Sequence, residues 1–227
     1  LFLLWLKITL SQSNKLWGPV LDGYQDQTHT GGPIMTPAKV NFKIYQGSTF
    51  REVFRWESSL KSYLPITNIT KAAPPIITCT GTLPPVGWRA KVTGVAGMKE
   101  INSDEYRTVT EASAGTVVFN SINASGYTTY TSGGILEYNT PIDLANYTAR
   151  LQVRPQTASS TTILTLTTEN GGIVLDNTLK TITVLATATQ TTSLNFTAAV
   201  YSLELVKNSE VSTFAVGNVS LVAEVTR

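Results

Sequence analysis

Alternation of apolar and polar side chains at a period of two constrains this chain more than any other feature. It is plainest in Gln46-Gly47-Ser48-Thr49-Phe50-Arg51-Glu52-Val53-Phe54-Arg55-Trp56 and in Pro141-Ile142-Asp143-Leu144-Ala145-Asn146-Tyr147-Thr148-Ala149-Arg150-Leu151-Gln152-Val153-Arg154. This is the pattern of a strand with one buried face. No segment gathers helix formers into a sustained 3.6-residue period, while Thr, Val, Ile and Tyr are abundant, which suits pleated surfaces. Charged residues are only 14% of the chain and hydrophobic residues 42%, so a packed core is affordable and wholesale disorder is excluded. The expected fold class is all-β: an antiparallel β-sandwich interrupted by a second small β-domain. The two alternating segments are read as adjacent strands of the sandwich.

Punctuation along the 227 residues sets the expected boundaries. Val40 to Tyr45 and Thr49 to Trp56 read as a strand pair turning at Gln46-Gly47-Ser48. The pattern weakens from Glu57 to Thr70, as in a crossover, and Pro74-Pro75 and Leu83-Pro84-Pro85-Val86-Gly87 then mark a new unit. Within it, Gly94 to Met98 reads as a tight turn. A polar loop, Asn123 to Gly134, precedes a last strand at Ile135 to Tyr138. After Pro141 the sandwich resumes, with a hairpin at Glu169-Asn170-Gly171-Gly172, a short helical turn within 186 to 195, and closing strands at Val211 to Val216 and Val219 to Val225. The expected organisation is residues 35–58 with 139–227 as a discontinuous sandwich and 59–138 as the insert. Residues 1–34 are polar and glycine-rich after an apolar run, Leu1 to Leu6, that is far short of the ~20 residues of a membrane span. They read either as an extension absent from the mature protein, with Met35 as the start, or as an arm docking on a neighbouring subunit.

Chemistry-bearing residues are sparse. Net charge is +2 with scattered basic residues, so no basic stripe marks a nucleic-acid partner, and no segment marks a membrane one. Cys79 is the only cysteine, which excludes an intrachain disulfide and a thiolate zinc site, and it reads as a buried small hydrophobe. His29 is the only histidine and lies in the N-terminal segment, leaving no base for a Ser or Cys nucleophile. Retaining glycosidases hold two carboxylates about 5 Å apart. The nearest pair in sequence, Asp104-Glu105, reads as a solvated turn, and Asp143 as a residue that organises backbone N–H groups at a strand entrance. The expectation is no catalytic residue, no cofactor and no metal. Tyr127, Tyr130 and Trp88 are the candidate interaction residues, since Tyr and Trp combine large contact area with a polar handle. The competing reading places all three against the insert's own core.

The outer segments resemble a family of small β-sandwich proteins from tailed bacteriophages. The likeness rests on Gln46 to Phe50, Phe54 to Trp56, Pro141 to Arg150, Gly171 to Ile173 and Glu224 to Arg227. The insert is similar to a small β-domain of ubiquitin-activating enzymes that is reused in phage tail and fibre proteins, through Val92 to Asn102 and Ser125 to Gly134. Thr80-Gly81-Thr82-Leu83 stands where that module usually carries His-Gly-Leu. No ubiquitin chemistry follows, because a fold does not carry function with it. The resemblance implies a virion component of the tail, collar, neck or baseplate that attaches or presents fibres. Its partners would be copies of itself and other virion proteins. A capsid decoration or head-fibre protein is the alternative, and a carbohydrate-binding module meeting host surface glycans is another.

Overall fold

A computed structural model describes residues 36–225; the readings made for residues 1–35, His29 and Met35 included, lie outside the described residues. The described residues are nearly all β, 52% strand against 4% helix. In chain order the strands are β1 Ala38–Lys39, β2 Phe42–Tyr45, β3 Phe50–Arg55, β4 Glu57–Ile69, β5 Ile76–Cys79, β6 Arg89–Ala96, β7 Arg107–Thr108, β8 Glu111–Ser113, β9 Thr116–Val118 and β10 Ser132–Pro141. There follow β11 Thr148–Arg154, β12 Leu164–Thr167, β13 Ile173–Asp176, β14 Thr181–Ala186, the helix α1 Ala188–Thr192, β15 Ala198–Lys207 and β16 Glu210–Val222. A 3-10 turn, Lys99–Ile101, lies between β6 and β7.

Among the described residues these strands form three sheets. The first runs β1-β16-β15-β11-β12, with β2 also on β16; the second runs β13-β14-β3; the third runs β7-β6-β10-β4-β5-β9-β8. Most ladders are antiparallel, but β1 and β2 lie parallel to β16, so the first sheet is mixed. The first two sheets face each other across one apolar cluster that includes Phe42, Phe54, Leu151, Ile182, Leu203 and Phe214. Phe42 stacks on Tyr201 at 4.2 Å, and Phe214 meets both Phe54 and Trp56 edge-on at 5.8 Å. A second cluster, Leu64 to Tyr138, fills the third sheet and includes Trp88, Met98, Phe119 and Leu136. No buried residue belongs to both clusters.

Several expected connections differ from those observed, for one physical reason. Alternation shows which face of a strand is buried; it does not show whether its neighbour lies beside it or across the core. Gln46-Gly47-Ser48 does not close a hairpin: β2 pairs with β16 and β3 with β14, so the turn carries the chain from one sheet to the other. Phe42 and Phe50 therefore meet through the core, with ring centroids 5.2 Å apart. In the same way β3 and β11 are not adjacent but belong to opposing sheets, and Glu169 to Gly172 leads from β12 in one sheet to β13 in the other. The presumed crossover at Glu57 to Thr70 is a continuous strand, β4, paired with β10 from Ile135↔Pro65 to Pro141↔Glu57 with one bulge. Its pattern is weak because residues 58–63 extend beyond the second cluster. Gly94 to Ala96 belong to β6, so the turn starts at Gly97.

The two closing strands are one, β16, carrying Gly217 in its interior. That glycine serves a close approach: a Cβ there would run into the carbonyl oxygen of Val40. Without it β1 and β2 could not lie along β16, where Val40 N donates to Val216 O at 2.9 Å and Asn218 N donates to Asn41 Oδ1 at 3.0 Å.

Candidate interaction site

The polar loop before β10 is held by its apolar members. Ile122 and Ala124 are buried, and Ala124 N donates to Ala72 O at 2.9 Å. Glu100 then fastens the loop from the side, its Oε1 accepting from Thr128 N at 2.9 Å and from Thr128 Oγ1 at 2.8 Å. Its own backbone N–H, and then these two donors, hold the Glu100 carboxyl below its ordinary range. Gly97 lies directly beneath, in a left-handed conformation and with no room for a Cβ against Thr129 O.

Tyr127 and Tyr130 are both half-buried against the second cluster. The Tyr130 hydroxyl is shared between Ile66 O at 3.1 Å and Gly133 O at 3.0 Å. These rings close the insert's own core and present only part of their surface. Trp88 is a correction: it is fully buried, and its indole Nε1 donates to Asn139 O at 2.8 Å, so it is core and not an interaction residue. A buried Trp is stable only where its N–H finds an acceptor, and the strand end at Asn139 supplies one. The exposed side chains of the loop include Asn123, Ser125, Thr128, Thr129 and Thr131, a hydroxyl and amide surface.

The sequence offers no local sign of a polar cluster that lies on the other face of the third sheet. Glu137, only 8% exposed, accepts from Tyr106 Oη at 2.5 Å, pairs with Lys61, and has Lys91 Nζ 3.7 Å away. Burial by itself would raise its carboxyl pKa. The hydrogen bonds from Lys61 and Tyr106 and the two ammonium charges outweigh burial, and the result lies below the ordinary value. The Glu137 bond correspondingly raises Lys61 to about 12. Closer to the sandwich, Glu57 is 2% exposed and accepts from Asn139 Nδ2 at 2.7 Å and Arg89 Nη2 at 3.5 Å.

Arg55, the last residue of β3, is buried beside Glu57. Burial lowers its pKa, and the Glu57 charge opposes that shift. Gly87 packs against its guanidinium so closely that any side chain at 87 would collide with it. Glu57 and Lys61 on β4, Arg89 and Lys91 on β6, and Glu137 and Asn139 on β10 all occupy odd-numbered positions, and this parity is the signal the sequence carries. Pairing three strands far apart in the chain was needed to see it.

The remaining chemical candidates are dispersed. Asp104 is fully exposed 3.8 Å from Lys91. Asp143 Oδ1 accepts from Lys180 Nζ at 3.2 Å in a turn where Asn177 Oδ1 also caps Leu144 N. Cys79 is buried, which pushes its thiol up to about 11 and leaves it without thiolate character at neutral pH. Among the described residues no group of three His, Cys, Asp or Glu is placed to hold a metal ion. No family model matches the chain, and no curated protein matches it.

Proposed function

We propose that this chain is a non-enzymatic structural protein of a tailed-phage virion. In this reading the sandwich assembles with copies of itself and other virion proteins at the tail, collar, neck or baseplate, and the 57–141 unit presents an outward surface. The observation that carries the reading is a joint between the two ends of the resemblance. Gln46 Nε2 donates to Leu194 O at 2.9 Å and Thr192 O at 3.2 Å, while its Oε1 accepts from Glu224 N at 3.1 Å. The Gln-Gly-Ser-Thr-Phe turn and Glu224, which follows the closing strand 178 residues from Gln46, are thus parts of one structural unit. In this reading the described residues on which the resemblance rests act as framework.

The sandwich edges support assembly. Among the described residues the small sheet ends on β13, which pairs with β14 alone, and an edge strand of this kind can pair with another chain. Repetition about a symmetry axis converts weak contacts into a stable array. The β4–β10 ribbon leaves the sandwich where Ile142 N donates to Trp56 O at 3.0 Å, so the second core is carried on two strands. Quantitative mass spectrometry of purified virions tests the reading. Tens of copies per particle support a ring or baseplate position, hundreds indicate a capsid decoration or head-fibre protein instead, and absence from the particle refutes both.

A further inference from the structure

The outward face of the first sheet carries a trough of about 630 Å3, within the ~300–1,000 Å3 range of small-ligand sites. Strand register arranges its floor as three rows across β11, β15 and β16. These are Arg150–Glu204–Thr213, Gln152–Ser202–Val216 and Arg154–Val200–Asn218. Rows two residues apart on strands about 4.8 Å apart make a floor roughly 13 Å long and 10 Å wide. A bulge between Leu203 and Glu204 interrupts the β15–β16 ladder and adds local twist beside it.

The charges in the trough are unequal. Arg150 Nε donates to Glu204 Oε2 at 2.6 Å, so that pair is neutral. Arg154 is held by neutral acceptors only, Ser159 O at 2.6 Å from Nη1 and Gln152 Oε1 at 2.8 Å from Nη2. Among the described residues no carboxylate lies within ion-pair distance of it, and a guanidinium has five N–H donors. Along the floor the hydroxyls of Ser202 and Thr213 and the amide of Asn218 make no side-chain hydrogen bond to other described residues.

We propose that this trough binds a short acidic saccharide, with a sugar carboxylate on Arg154 and sugar hydroxyls on the Ser202, Thr213 and Asn218 side chains. Charge complementarity selects the carboxylate, since a planar guanidinium already fixed in orientation pairs with it bidentately. The floor selects the saccharide over a peptide. The backbone groups of β11, β15 and β16 are committed to their ladders, so a peptide lying on this face would find no partners for its own N–H and C=O groups. Sugar hydroxyls both donate and accept, as the side chains offered to them do. The site lies on the sandwich, apart from the insert, and does not depend on the virion reading.

The test is calorimetric titration of the full chain with trigalacturonate, with maltotriose and tetraglutamate as comparison probes. Saturable binding of trigalacturonate, at least tenfold tighter than maltotriose, is expected. Arg154→Gln should weaken it about tenfold or more, Arg154→Lys by less, and Ser202→Trp, which fills the trough from an outward-facing position, should abolish it. Thermal melts check that each variant is folded, and if Arg154→Gln fails that check, the other two variants carry the test. No saturable binding of trigalacturonate overturns the proposal, as does equal binding of maltotriose. Binding that neither Arg154 variant nor Ser202→Trp alters also overturns it. Binding of tetraglutamate in its place makes an acidic peptide the occupant and overturns the saccharide assignment.

Discussion

Two glutamates show how far a residue's role departs from its type. Glu137 is an acceptor for Tyr106 and Lys61 and titrates below the ordinary 4.5, whereas Glu52 points inward from β3, where burial raises it. Glu52 Oε2 and the Tyr201 hydroxyl are buried without hydrogen-bond partners, and the Glu52 charge adds to the burial that holds the Tyr201 phenol well above its ordinary range. The linkage signs are opposite. The contribution of Glu137 is full above 4.5 and disappears as pH falls through its lower folded value. The penalty from Glu52 is absent below 4.5 and develops as pH rises through its higher folded value. Glu137→Gln should therefore cost about 1–3 kcal/mol at pH 7 and progressively less in acid. Glu52→Gln should stabilise by about 1 kcal/mol at pH 7 and have no effect near pH 4. Thermal melts of both variants from pH 3 to 8 check the pair of signs. Gly217→Ala should cost about 1–3 kcal/mol through overpacking against Val40 O, read as faster hydrogen exchange at the Val40 amide. None of these roles could be read from the sequence, because each depends on a neighbour at least 30 residues away.

At the level of elements, alternation located most strands to within a few residues but not their ladder partners. β11 and β15 were marked clearly because one face of each is apolar throughout: Ala149, Leu151 and Val153 on the former, Ala199, Tyr201, Leu203 and Leu205 on the latter. β4 was obscured because its first half carries Leu60 and Tyr63, exposed at 72% and 58%, outside any core. For Trp88 the structure decides for the core alternative, because its burial comes from the fold-back of β6 on β10, which nothing local announces. The β4–β10 ribbon makes a specific prediction. Trp56 and Ile142 are already hydrogen-bonded neighbours, so replacing 57–141 by an Asn-Gly turn should leave a folded sandwich with a cooperative melt. Circular dichroism and a thermal scan of that variant check it; an unfolded product would mean that the sandwich needs the insert to close.

On the scale of the whole molecule, the all-β class was legible from composition and periodicity, because little else can bury 42% apolar residues without a helical period. What the molecule does was not, since its framework residues and its surface residues are the same few polar types. Two cores joined by one ribbon, sheet edges on the sandwich with no strand partner among the described residues, and a hydroxyl-rich loop on the insert fit the proposed division in which one part assembles and the other presents. On the proposed virion reading, a cryo-EM map of purified particles tests that division most directly. The account predicts symmetric copies touching through residues 36–56 and 142–225, with residues 57–141 directed outward. Copies held together by their inserts, with the sandwiches apart, would contradict it.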